Sequence, residues 1–197
     1  MTGAGRIRIG IAPGHRVEVA RLYWQAFGTK LGPIMGPEAQ AVDYLARVMR
    51  EDQVLTATSP KGDLLGMAGF RTSTGAFPLG RWAEMRAVYG IPGALWRAGV
   101  MRLLQQDLNP SRFLVDGIAV ADTMRGRGIG TALLDALCAE ASGRGYVEVG
   151  LDVADVNPRA RALYERRGFV ARDTVRMGLV GPIFGMASVT RMVRRLV

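Results

Sequence analysis

Cysteine and histidine are almost missing from this sequence: it holds one of each, Cys138 and His15. An internal disulfide is therefore impossible, and a Cys/His metal cluster lacks ligands. A metal-free protein in a reducing, cytoplasmic setting is the expectation. Long apolar runs are missing too. The longest are broken by Arg, Asp or Gly well short of the roughly 20 residues that a membrane span requires. The stretch Met1–Arg8 has no apolar segment of the kind a secretory signal carries, so neither membrane insertion nor export is expected. There is no internal repeat and no low-complexity linker. Negative charge is scarce: 17 acidic residues stand against 26 Lys and Arg, a formal net charge of +9. Such an excess suits nucleic acid, an anionic membrane surface or a polyanionic nucleotide cofactor. The basic residues are scattered, however, with only short groupings at Arg166-Arg167 and Arg194-Arg195 and no aromatic-interleaved run, a pattern that disfavours nucleic acid.

What is present fits one globular domain over residues 1–197, with 49% hydrophobic and 22% charged residues. Basic and apolar residues alternate from Arg6 to Ala12, which predicts a strand. Apolar residues at three- and four-residue spacing predict a helix from Val17 to Phe27, ended by Gly28. A Gly/Pro-rich connection then leads to a second helix around Ala41, Leu45 and Val48. Gln53–Thr58 and Leu64–Arg71 read as antiparallel strands joined through Pro60-Lys61-Gly62-Asp63. Gly90, Pro92 and Gly99 interrupt a helical pattern over Arg81–Asp107, leaving one or two helices there. A strand at Phe113–Val120, a helix at Gly128–Ser142 and a strand at Val147–Val153 make a β-α-β unit with parallel strands. A helix at Asn157–Arg167 and strands at Phe169–Thr174 and Ser188–Leu196 complete a mixed α/β sheet with helices on both faces.

The segment from Val120 to Thr131 joins strand to helix and carries the most chemistry. Glycines at 126, 128 and 130 remove side chains where backbone must approach a ligand. The helix that follows presents unpaired N–H groups and the positive end of its dipole. Phosphate binds such a place, and Arg125 and Arg127 add charge beside the amides. The glycine spacing is wrong for a dinucleotide fingerprint, and no P-loop is present. The helix itself has an apolar stripe, Ile129, Ala132, Leu133, Ala136 and Leu137, widened by Leu134, Cys138 and Ala141. Cys138 reads there as a small buried hydrophobe rather than a nucleophile.

Arg125, Gly128 and Gly130 match, position by position, the coenzyme A signature [Q/R]-x-x-G-x-[G/A], and the segment thus resembles the GNAT N-acetyltransferase superfamily. A second stretch, Asn157, Ala160, Leu163, Tyr164, Gly168 and Phe169, is similar to that superfamily's N-x-x-A-x-x-L-Y-x-x-x-G-F pattern. On helical geometry alone, Asn157 is a cap and Tyr164 a half-buried packing residue; seven residues apart, they lie on one side of the helix, about 10 Å apart along its axis. The resemblance implies more: a centrally splayed mixed sheet, and acetyl-CoA as cosubstrate without a metal. It places the pyrophosphate on the backbone from Arg125 through Gly126, Arg127, Gly128 and Ile129 to Gly130, with Thr131 next in reach. It also implies that Ile118, Ala119, Val120, Ala160 and Tyr164 bind the cofactor, that Asn157 hydrogen-bonds the pantetheine arm, and that Tyr164 is the acid that protonates the leaving thiolate. The motifs are specific from about Val115 to Val170.

The implied reaction is direct attack of an amine, from a small molecule or a peptide, on the thioester. An amine near pH 7 is mostly protonated and must lose a proton. Asp116, two and four positions before Ile118 and Val120, shares their face by strand alternation and is the candidate base; Asp152 and Glu84 are rivals, and the alternative for Asp116 is a solvent-facing strand-end carboxylate or an ion-pair partner. His15 reads as a surface or capping residue. Trp24, Trp82 and Trp96 line either an acceptor pocket or the core. A coenzyme A-binding regulatory module without turnover is the competing function, and a homodimer is left open.

Overall fold

The computed structural model describes residues 5–78, 80–104, 112–178 and 181–196. Strand β1 is Arg6–Ile9, followed by helices α1 (Arg16–Met35) and α2 (Glu38–Val48). Strands β2 (Val54–Thr58), β3 (Leu64–Thr72) and β4 (Gly75–Ala76) precede the helical segment α3 (Trp82–Leu104). Then come β5 (Phe113–Val120), α4 (Ile129–Gly143), β6 (Glu148–Ala154), α5 (Pro158–Arg166) and β7 (Val170–Arg176). A four-residue helix, α6 (Gly181–Phe184), and β8 (Ser188–Arg195) close the chain.

Among the described residues eight strands form one mixed sheet in the order β1-β2-β3-β5-β6-β8-β7, with β4 paired to β3. Two apolar clusters sandwich it. On one face α1, α2 and α3 bury Val19, Leu22, Tyr23, Trp24, Ile34 and Leu45 against Val54, Met67 and Phe77. On the other, α4 buries Ile129, Leu133, Leu134, Leu137, Cys138 and Ala141 against Phe70, Phe113, Val149, Leu151 and Met192. The face of α4 is rotated from the expected stripe, because Ala132 and Ala136 are only half-buried. Each buried large aliphatic contributes roughly 1.5–3 kcal/mol, so this helix and the loop at its start are held firmly.

The central β5 is antiparallel to β3 and parallel to β6, as the crossover required. Its pairing with β6 covers only Phe113 with Val149, Leu114 with Gly150 and Val115 with Leu151. Beyond that point β5 stays on β3 as far as Val120 while β6 stays on β8 as far as Ala154. The two strands therefore part into a V. A bulge lies at the same level: Gly69 pairs with Gly117 and Phe70 with Val115, so Asp116 is the extra residue. Bulges bend a strand and increase its twist, which carries β5 away from β6.

The structure corrects several expectations. Gly28 does not end the first helix, which continues through Gly32 and Pro33 to Met35. A methyl group at Gly28 would sit 2.9 Å from the Trp24 indole, so this glycine makes room rather than a stop. The first strand ends at Ile9 rather than Ala12, and β4 and α6 were not foreseen. Two helical arms meet within α3 at Gly90, whose φ of 69° and ψ of 175° are not helical; the expected end of that segment, Gln105–Asp107, lies outside the described residues. Trp24 is core, whereas Trp82 and Trp96 are 47% and 51% exposed. No helix among the described residues is long and apolar enough to cross a membrane.

Candidate active site

The V between β5 and β6 organises the site. At the tip of the β5 arm the chain makes a 3₁₀ turn, Asp122–Met124, and then the loop Arg125–Gly128 before α4 begins. Gly126 and Gly128 have φ of 76° and 80°, and Gly128 is the N-cap residue of α4 with no side-chain cap bond. A side chain in this left-handed region costs about 1–2 kcal/mol, which explains glycine at both positions. The first backbone bond of the helix runs from Ala132 N–H to Gly128 O, 2.9 Å. The N–H groups of Ile129, Gly130 and Thr131 precede it and point out of the helix end, and space beside Gly126 and Gly128 is open. Arg125 is ion-paired with Asp122 at 2.6 Å, both side chains well exposed, a contact weak enough to be exchanged for a stronger anion. Arg127 has no partner among the described residues.

The β6 arm ends at Ala154 and leads into α5. Asn157 is the N-cap, its Oδ1 accepting from Ala160 N–H at 3.1 Å, with Pro158 at the first helical position. The cap uses only the carbonyl oxygen; the amide N–H₂ remains free to donate among the described residues. Ala160, Leu163 and Tyr164 pack on the α4-side core, as do Ile118, Val120 and Met124 from the β5 arm. The structure thus brings the two motifs to the two sides of one cleft. Tyr164 is half-buried, its ring 6.0 Å from that of Phe169. Burial pushes its hydroxyl above the ordinary tyrosine value, so the phenol is protonated at neutral pH.

Asp116 is not on the face that strand alternation assigned to it. The bulge breaks the period of two: Ile118 and Val120 face the α4 side, whereas the Asp116 carboxylate is bonded by Arg71 of β3 and lies near Tyr23 of α1. Arg71 Nε donates to Oδ1 at 2.8 Å, and Nη2 donates to the same oxygen. The side chain is 4% exposed, and Oδ2 is buried with no hydrogen-bond partner among the described residues. Burial raises the Asp116 pKa above the ordinary carboxylate value, with Arg71 opposing the shift. Ala119 shares the α1 side, and the Phe27 ring lies against Gly117 one residue beyond Asp116.

The Arg71–Asp116 pair, Tyr23 and the bulge were not read from the sequence. A single charge ending the apolar run Leu64–Phe70 was the one available signal for Arg71. Of the rivals, Asp152 is bonded by Arg191 at 3.1 Å and Glu84 lies in the first turn of α3. Cys138 is buried, and burial pushes its thiol up, away from nucleophilic chemistry. His15 occupies the N-cap position of α1 but makes no cap bond; its Nε2 is 3.8 Å from Glu18.

Residues 16–169 match the acetyltransferase (GNAT) family, and the chain belongs to that family. No curated protein matches it. Among solved structures it is similar to the histone acetyltransferase HPA2 and related acetyltransferase of Corynebacterium glutamicum, at 18% identity and a TM-score of 0.67 over 98% of both chains. An N-acetyltransferase from Staphylococcus aureus Mu50 is similar at 16% identity and a TM-score of 0.66, covering 96% of this chain and 100% of that one. A GCN5-related N-acetyltransferase from Kribbella flavida is similar at 17% identity and a TM-score of 0.61, over 98% of both. At these identities the likeness is one of fold.

Proposed function

We propose that this protein is an N-acetyltransferase that moves an acetyl group from acetyl-CoA to a primary amine of a small molecule or peptide by direct attack. The observation that carries the reading is the V between β5 and β6, with the outward N–H groups of α4 at one tip and the N-cap of α5 at the other. Backbone amides from Gly126 to Thr131, with Arg125 and Arg127, fit a pyrophosphate in number and charge. The free backbone edge of β5 at Ile118–Val120 and the Asn157 amide fit the amide groups of a pantetheine arm.

The two faces of the β5 arm divide the proton work. Tyr164, on the α5 side, donates to the sulfur as negative charge develops there. Asp116, on the α1 side, takes a proton from the amine, directly or through water: Arg71 fixes one oxygen and the other is left for the proton. A base must be ionised to act, so activity rises as pH climbs through the raised pKa of Asp116. Asp116→Asn is expected to lower kcat/KM and to remove that acid limb of the pH–rate profile while leaving acetyl-CoA affinity intact; an unaltered profile would remove Asp116 as the base.

Thiol release from acetyl-CoA, measured with and without a panel of amines alongside isothermal titration, tests the reading as a whole. Amine-dependent release is expected. Tight binding without release for any amine would instead favour the coenzyme A-binding regulatory module. A cytoplasmic location is part of the same reading.

A further inference from the structure

Away from the V, a cavity of about 730 Å³ opens where β1, the turn between β2 and β3 and the start of α1 meet, with Arg6, Arg8, His15, Glu18, Lys61 and Asp63 in its lining. Cavities of roughly 300–1,000 Å³ are the size that small metabolites occupy. The strand β1 stands at the edge of the sheet, separated from β5 by β2 and β3. Three strand spacings put it on the order of 14 Å from the β5 arm. The cavity also lies on the α1 side of the sheet, whereas the cofactor loop leads into α4 on the other.

Strand alternation builds one wall. Ile7 packs on the α4-side core, and successive side chains of a strand point to opposite faces, so Arg6 and Arg8 both project on the α1 side with their Cα atoms about 7 Å apart. A braced turn supplies the third cation. Ser59 Oγ donates to Asp63 Oδ2 at 2.8 Å and accepts from the N–H groups of Lys61 and Asp63, both at 3.1 Å. These bonds hold residues 60–63 and commit the Asp63 carboxylate to the turn. The side chains of Arg6, Arg8 and Lys61 are exposed and have no hydrogen-bond or ion-pair partner among the described residues. His15 places Nε2 3.8 Å from Glu18, and its Nδ1 is buried with no hydrogen-bond partner among the described residues. Arginines on an edge strand can serve simply to prevent strand pairing. That role accounts neither for Lys61, which comes from another segment, nor for the unsatisfied imidazole nitrogen, since buried polar atoms normally have a partner.

We propose that this cavity binds a small phosphate ester, its phosphate held by Arg6, Arg8 and Lys61 and the hydroxyl groups of its organic part by His15 and Glu18. Guanidinium forks match the paired oxygens of a phosphate, and an ammonium adds a point charge. Three cations on two fixed segments therefore suit a dianion better than a single carboxylate, which one fork satisfies. Glu18 accepts from hydroxyls and repels a second anionic group, which favours a monophosphate over a polyphosphate. The inference stands apart from the acetyl-transfer reading and does not rest on it.

His15 is the sole histidine of the chain, so its ring protons report on this cavity alone. Ribose 5-phosphate titrated into the full chain at constant pH and ionic strength, followed by proton NMR, is expected to shift the His15 signals saturably with a Kd of about 0.1–1 mM. Ribose, which lacks the phosphate, should leave them in place. The double variant Arg6→Ala/Arg8→Ala is expected to bind at least tenfold more weakly; both positions are exposed, and thermal melts establish that it is folded. Arg127→Ala, in the cofactor loop, should bind ribose 5-phosphate as the wild type does. His15 signals that stay fixed at about 10 mM ribose 5-phosphate, tenfold above the weakest Kd expected, overturn the proposal. So do an equal response to ribose, undiminished binding in the double variant, and loss of binding in Arg127→Ala, which would put the phosphate on the cofactor loop instead.

Discussion

Gly128→Glu is expected to fold and to bind coenzyme A at least 100-fold more weakly than the wild type. The position is exposed, its φ is 80°, and open space surrounds a Cβ added there. The substitution therefore costs backbone strain of about 1–2 kcal/mol without a clash in the core. That is within the stability of an ordinary domain. The side chain instead projects beside the α4 amides with a negative charge where a pyrophosphate would lie, so repulsion adds to occlusion. A hundredfold loss corresponds to about 2.7 kcal/mol. Gly128→Ala separates the causes: it carries the same strain without the charge and should lose far less affinity. Isothermal titration on both variants, with circular dichroism melts to establish folding, decides the matter. Unchanged affinity in folded Gly128→Glu would take this loop out of the cofactor site.

Tyr164→Phe is expected to lower kcat by about 10- to 1000-fold, because a positioned acid contributes roughly 10² to 10⁴ and water substitutes in part. The variant keeps the ring that packs on the α4-side core and against Phe169 and deletes only the donor. Burial raises the hydroxyl pKa, so the sign of the pH effect is fixed. The protonated donor persists through the neutral range, and ionisation of Tyr164 contributes no loss of activity until pH passes its ordinary value near 10. Acetyl-CoA affinity should barely move, since the N–H groups and arginines of the loop are untouched. Steady-state turnover equal to the wild type, with only the melting temperature changed, would make Tyr164 a packing residue and leave the cofactor loop standing.

The β-α-β unit was legible because its signals are local. The residues that shape the Arg125–Gly130 loop and cap α5 are neighbours in the chain, and glycine conformation, helix ends and N-caps depend on little else. Gly28 and Asp116 were misread for the opposite reason. Whether a glycine stops a helix or accommodates a neighbour depends on what lies beside it, here the Trp24 indole. Strand alternation assumes an unbroken period of two, and the bulge that breaks it at Asp116 arises from pairing with β3.

From its residues alone the protein was legible as a mixed α/β fold with a glycine-rich strand-to-helix turn and a capped helix bearing Asn157 and Tyr164. Those features follow from short-range backbone chemistry. Tertiary structure decided where β5 and β6 part, and that Asp116 is clamped by Arg71 on the α1 face while Tyr164 stands on the other. Each depends on strand register and on which layer covers which face, and these are set by contacts between segments far apart in the chain.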